Sequence, residues 1–275
     1  MDATVALEAG TLEALISLVR QHTGIAMNER KSVLLEGRLR PRMSALAMAR
    51  YEDYLDLLRR GGPEVQVFID MVTTNDTVFF RTPAVWAYIA QQFLPAWHAA
   101  HTDQCLRVWS AAAASGEEAY SMAMLCDQFQ QRHPRFRYQI VATDINTAVL
   151  ATGRAGRYTG RSVERFSASH PQLLQAYFKR EADAICASAE LKLHVQFSVH
   201  NLFAPMRAQA PFDLILLRNV LIYFDEENQR RVLEQVQRQM APGARLILGE
   251  QESITRLGTT LAFEQAHVYT AGVAP

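Results

Sequence analysis

The sequence predicts an α/β protein, in which a small all-helical N-terminal unit precedes a mostly parallel, doubly wound sheet. Three observations predict it. Apolar residues recur at helical spacing over residues 1–70, with little there that resembles a strand. From about Leu106 short apolar runs alternate with helical stretches, the pattern of parallel strands joined by crossover helices. Finally, 49% of the 275 residues are apolar and 20% charged, an ordinary globular balance in a chain long enough for one large domain or two unequal ones.

The elements follow in order. Leu12, Leu15, Ile16 and Val19 mark a first helix, with Thr11 as N-cap and Gly24 as stop. A second helix is expected over Ser32–Ala47 and a third over Tyr51–Arg59, before the Arg59-Arg60-Gly61-Gly62-Pro63 break. Strands are expected at Leu106–Ala112, Tyr138–Ala142, Val195–Val199, Phe212–Leu217 and Arg245–Leu248, and Phe263–Thr270 reads as one edge strand. Helices are expected over Gly116–Phe129, from near Asn146, and after an N-cap at Asp225. Between Gly156 and Lys192 the periodicity is weak, leaving room for a small β insertion. The change of texture places a boundary between Arg81 and Leu106.

Bulk properties narrow the function. The formal net charge is zero, so no global electrostatic footprint for nucleic acid is present. Cys105, Cys126 and Cys186 form no CxxC pair and no metal-ligand spacing, so neither a disulfide framework nor a metal is expected. The acidic start MDATVALEAG does not read as a secretory signal, and no uncharged apolar run reaches the length of a membrane span. A cytoplasmic protein is expected.

In a parallel sheet, ligands bind beyond the carboxyl ends of the strands. The first strand runs into Ser110-Ala111-Ala112-Ala113-Ala114-Ser115-Gly116-Glu117-Glu118, whose small side chains admit a ligand close to the backbone. With one glycine and two adjacent acids, this turn disfavours a pyrophosphate and favours a cationic ligand; the plain alternative is a close-packed turn with solvated acids at a helix start. The second strand ends at Asp144, suited to accept hydrogen bonds from both ribose hydroxyls of a nucleoside, or else to cap the next helix. The fourth exits through Arg218, Asn219 and Tyr223. The run Thr73–Arg81 is polar, then aromatic, and reads either as a ligand clamp or as a linker packed by Phe79 and Phe80.

TTNDTVFFR, WSAAAASGEEAYSMAM, ATDIN and FDLILLRNVLIYFD resemble the four signature blocks of the chemotaxis receptor methyltransferase (CheR) family, in order and over essentially the whole chain. The resemblance implies a helical N-terminal receptor-docking domain at 1–75. It implies a Rossmann-like class I methyltransferase domain at 76–275, with a small β insertion at about 160–194. It further implies S-adenosylmethionine as cofactor, S-adenosylhomocysteine as product, no metal, and methylation of glutamate side chains on the cytoplasmic helices of methyl-accepting chemoreceptors. Contact with a membrane would then be only through the receptor. By the same resemblance Asn75, Thr77, Arg81, Glu117, Asp144, Asn201, Leu202, Arg218 and Asn219 hold the cofactor, with Tyr223 nearest the transferred methyl and Arg218 beside it. The alternative is a sensor or scaffold that binds the same cofactor without turnover; the complete RNVLIYFD segment favours catalysis.

Two departures stand out. Gly249-Glu250-Gln251-Glu252 replaces a Gly-His-Ser-Glu-like run, which puts a role for the histidine in doubt. The stretch Tyr177–Leu191 has no glycine, unlike the loop of members that grip a receptor-tail peptide, so a tight positive-φ turn there is expensive and tether-free docking is expected. Arg30, Lys31, Arg38, Arg40, Arg42 and Arg50 give the N-terminal helices a basic face suited to glutamate-rich receptor helices.

Overall fold

The computed structural model describes residues 7–27 and 32–272; Arg30 and Lys31 lie outside the described residues. Four helices come first: α1 (Ala9–Thr23), α2 (Ser32–Ala45), α3 (Tyr51–Arg59) and α4 (Pro63–Val72). They enclose their own core around Leu15, Val19, Leu39, Tyr54 and Phe68. Thr11 does not cap α1. It sits inside the helix, buried, and its hydroxyl donates to Glu52 of α3 at 2.8 Å, a partner 41 residues away. The helix α2 stops two residues short of Ala47, which adopts a left-handed φ of 54°. The fourth helix begins at Pro63, whose fixed φ and missing N–H suit a first helical position.

The second part is built from α5 (Pro83–Tyr88), a π turn, α6 (Leu94–Ala100), β1 (Cys105–Ala111), α7 (Glu117–Arg132), β2 (Arg137–Asp144) and α8 (Thr147–Ala155). An insertion follows: β3 (Arg157–Tyr158), α9 (Arg161–Ser169), α10 (Pro171–Tyr177), β4 (Phe178–Glu181), β5 (Ala184–Ala187) and α11 (Ala189–Leu193). The main sheet then resumes with β6 (Val195–Val199), β7 (Phe212–Leu217), α12 (Glu226–Gln237), β8 (Met240–Leu248), β9 (Ala262–Gln265) and β10 (Val268–Thr270). Its order is β6-β2-β1-β7-β8-β10-β9. All neighbours from β6 to β8 are parallel, and only β10 and β9 run antiparallel. Strand order reverses between β1 and β7, which opens a crevice at their carboxyl ends. The central strands are buried on both faces, as helices on either side require.

Two expectations are corrected here. Phe263–Thr270 is a hairpin and not one strand, turning at His267 with φ 67°. The β4–β5 turn is tight and left-handed despite having no glycine, because Ala182 takes φ 53°. The insertion itself is a three-stranded antiparallel sheet in the order β3-β5-β4. No helix among the described residues is long and apolar enough to cross a membrane.

Candidate functional site

A cleft lies over the reversal point, where ligands of open α/β sheets bind. Its floor is the turn after β1. There Ala112 (φ 61°), Ala114 (φ 48°) and Gly116 (φ 93°) alternate left-handed conformations, a strained arrangement that the surroundings must hold in place. Ala113 donates to the Thr143 carbonyl at 2.8 Å, and Ala114 to Asp144 Oδ2 at 2.9 Å. A Cβ on Gly116 would meet the Phe197 ring at 2.7 Å, so this glycine is required by packing and by its backbone angle.

Asp144 is buried at the end of β2. Its Oδ1 accepts from the Asn146 N–H at 2.9 Å, so with the Ala114 contact each oxygen takes one backbone donor. A carboxylate has about four acceptor positions, which leaves one on each oxygen for a ribose hydroxyl. Burial pushes its pKa above the usual range while the N–H groups of Asn146 and Ala114 pull against that. The helix-cap role, the other reading of Asp144, belongs to Asn146, which accepts from Val149 N–H at 3.0 Å.

The adjacent acids after β1 divide. Glu117 is buried away from the cleft, accepting from Ser115 at 2.6 Å and Ser162 at 3.2 Å, and burial raises its pKa. Glu118 lines the cleft instead. It accepts from Ser110 at 2.7 Å and from Arg218 at 3.0 Å; burial pushes its pKa up and Arg218 opposes this. Which acid faces the sheet is a matter of helical phase, and adjacency in sequence carries no signal for it.

Arg218 is nearly inaccessible, with a side chain 2% exposed. One guanidinium nitrogen binds Glu118, another donates to the Arg81 carbonyl at 2.7 Å, and the group lies 5.7 Å from the Trp86 ring centroid. Its Nε is buried without a partner among the described residues. The geometry makes Arg218 a tie between the strand ends and the 73–81 segment. That segment serves both of its readings: Asn75, Thr77 and Arg81 line the cleft, while Phe79 stacks on Phe166 of the insertion at 4.4 Å and Phe80 packs on Trp86.

Asn201 and Leu202 follow β6 on the opposite wall. The Asn201 amide is committed at both ends, donating to the His22 carbonyl at 2.9 Å and accepting from Phe203 N–H at 3.0 Å. His22 belongs to α1, so this wall is tied to the N-terminal helices. Thr23 and Ile25 also line the cleft, held by Asn228, which donates to the Gly24 carbonyl at 3.2 Å. The sequence marks Gly24 as a helix stop and offers no sign that the chain then crosses the cleft. Asn219 adopts φ 59°, and Tyr223 lines the mouth, its hydroxyl without a partner among the described residues. Burial raises the Tyr223 pKa, and Arg81 and Arg38 pull against it, so the phenol carries its proton at neutral pH.

The cleft thus offers a ribose-type acceptor, a floor of small residues and a phenol without a partner among the described residues, which together suit a nucleoside. The fold and site define a nucleoside-dependent methyltransferase. The description "CheR methyltransferase, SAM binding domain" matches residues 75–270, and "CheR methyltransferase, all-alpha domain" matches residues 10–73. The chain belongs to the CheR methyltransferase family, and its cofactor is S-adenosylmethionine. It is 34% identical over 246 residues to a chemotaxis protein methyltransferase of Vibrio parahaemolyticus, covering 88% of this chain and 87% of that one. It is 32% identical over 276 residues to the chemotaxis protein methyltransferase of Escherichia coli, covering 98% and 93%.

Proposed function

We propose that the protein methylates glutamate side chains on the cytoplasmic helices of methyl-accepting chemoreceptors. In this reading residues 1–75 dock the receptor, and residues 76–275 hold the methyl donor through Thr77, Arg81, Asp144, Asn201, Leu202 and Asn219, joined by Asn75 at the end of the docking unit. Asn201 and Leu202 contribute shape and backbone, since the Asn201 amide is already bonded. The observation that carries the reading is the Tyr223 hydroxyl, without a partner among the described residues, protonated and half-buried at the cleft.

S-adenosylmethionine supplies an activated methyl on its sulfonium, which leaves as a neutral thioether. A glutamate carboxylate is ionised at neutral pH, so the chain need not supply a strong base. What it must supply is alignment and compensation for drawing that carboxylate out of water. Tyr223 donates a hydrogen bond to one carboxylate oxygen and leaves the other free to attack. Arg81 and Arg38 add positive potential nearby, consistent with their effect on Tyr223.

Docking uses the outer face of α2, in a narrower form than its charge count suggests. Arg42 is bidentate to Glu64, at 2.9 and 2.5 Å, and Arg38 donates to the Val72 carbonyl and to Thr74. Arg40 is the more open, with about half its side chain exposed, although it pairs with Glu36. Tether-free docking is part of the same proposal; its support is the shortness of the β4–β5 turn, two residues at Ala182 and Asp183, and not the missing glycine, since Ala182 takes the left-handed angle itself. The test is transfer of radiolabelled methyl from the cofactor to receptor as a base-labile ester. Label that survives mild base sinks the glutamate assignment.

A further inference from the structure

The run Gly249-Glu250-Gln251-Glu252 has two exposed residues at its middle and ends on a buried carboxylate that the mechanism above does not use. Glu252 Oε2 accepts from the N–H groups of Asn219 and Gly249, both at 2.7 Å. Oε1 accepts from Val220 and Leu221, both at 2.8 Å. Four backbone donors thus converge on one side chain, three of them consecutive and all three in the segment that ends at Tyr223. Glu252 forms no ion pair among the described residues. Successive N–H groups around a left-handed residue form a concave anion site, and Glu252 fills it from within the chain.

We propose that Glu252 is a positioning residue, fixing the Asn219–Tyr223 turn and thereby the direction in which the Tyr223 hydroxyl is presented. This rests on the reading of Tyr223 as the donor to the substrate carboxylate. Asn219 is left-handed, and the turn after it is a single 3₁₀ turn, Leu221–Tyr223, closed by Tyr223 N–H to the Val220 carbonyl at 3.1 Å. Neither feature holds itself; a strained residue persists only where its surroundings over-determine it. Gly249 completes the anchor from the β8 side. A Cβ there would lie 2.7 Å from Asn219 Nδ2 and 2.8 Å from its backbone nitrogen, so glycine lets the two strand exits touch.

Glu252→Gln tests the anchor at constant size. One oxygen becomes an amide that faces two N–H donors, so two of the four bonds are lost and donors oppose each other. Turnover on receptor is expected to fall at least ten-fold, and by more than S-adenosylhomocysteine affinity, which also weakens because Glu252 holds the cofactor-lining Asn219; measurable binding by calorimetry certifies the fold. A purely structural glutamate would make its defect multiply with that of Tyr223→Phe. An anchor acting through Tyr223 would not: the double variant should turn over no more slowly than the slower single one. Gly249→Ala disturbs the same junction from the β8 side, its Cβ pressing on Asn219 Nδ2 and on Glu252 Oε2, each 2.7 Å away. It should repeat the pattern, and it carries the test if Glu252→Gln does not fold. A slow Tyr223→Phe with multiplicative losses in the double variant overturns this proposal alone. A parent-rate Tyr223→Phe overturns the reading of Tyr223 and this proposal with it.

Discussion

The backbone N–H of Ala26 donates to the carbonyl oxygen of Tyr223 at 2.8 Å. The N-terminal helices therefore meet the methyltransferase part at the residue assigned to the chemistry, through the short strap that leaves α1. Asn228 and Asn201 fix the same strap from the other side, and Arg20 pairs with Asp225 at 2.5 Å beside it.

Loosening the strap should weaken cofactor binding. In Asn228→Ala the Gly24 carbonyl loses its buried donor, and S-adenosylhomocysteine affinity should fall about two- to ten-fold, equivalent to one neutral hydrogen bond of about 0.5–1.5 kcal/mol. Unchanged affinity by calorimetry would mean that the strap does not cover the ligand.

Asp144→Ala should cost about 1.5–3 kcal/mol of cofactor affinity, roughly 10- to 150-fold, through lost charge-assisted bonds. Burial raises this pKa, so the carboxylate protonates at higher pH than an ordinary aspartate. Affinity should therefore decline as pH falls through that raised value, and the decline should be absent in the variant. Titration calorimetry across the acid range reads both outcomes.

Tyr223→Phe should slow methyl transfer while leaving cofactor affinity nearly intact, since only a hydroxyl used in the transition state is removed. Because burial raises the Tyr223 pKa, loss of its proton should affect the rate only above the ordinary tyrosine range. A parent rate in single-turnover assays would reduce Tyr223 to packing.

Arg40 and Arg42 should behave differently despite their spacing. Arg40→Glu should raise the Michaelis constant for receptor, with an effect that shrinks with salt as screening sets in over about 8–10 Å. Arg42→Glu should lower thermal stability, because it strands Glu64. Glu64 has its pKa lowered chiefly by Arg42, so its stabilisation is present above the ordinary glutamate value and lost as pH falls through the lowered one. The melting temperature of the parent should drop over that interval, and that of Glu64→Gln should not. Equal salt-dependent kinetic losses in both arginine variants would refute the distinction.

Receptor lacking its last few residues should be methylated at the rate of full-length receptor. Initial rates on the two substrates decide it; a large drop on truncation would show that the insertion holds a tail.

Much of the fold was legible, since β1 and β7 are apolar runs, and β2 and β6 alternate with the period of a strand, signals that need no distant information. What escaped depended on partners far along the chain or on turns without their usual residues. Thr11 looked like a cap because its partner, Glu52, is on another helix. The β9–β10 hairpin was invisible because His267 turns it without glycine or proline. The strand β8 starts at Met240, ahead of the Pro242-Gly243 pair that argues locally for a break. At the site, the strand ends pointed to Asp144, Asn219 and Tyr223. Glu118, the 23–25 strap and the Glu252 anchor required the folded arrangement.

Asp70 of α4 supplies both its carboxylate oxygens to Thr147, at the first turn of α8, accepting the backbone N–H at 2.8 Å and the hydroxyl at 2.5 Å. Its carbonyl takes the Asn146 amide, two residues beyond Asp144. The helical unit thus completes the start of the helix on which the ribose acid's turn rests. Any ligand that displaces α4 must stretch those bonds, and any ligand that tightens the turn strengthens them. If receptor docking shifts α4, thermodynamic reciprocity requires that receptor and cofactor alter each other's affinity by one common factor, in the same direction. Under the proposed docking, occupancy of the methyl donor would then be felt at α4, on the receptor's side of the molecule.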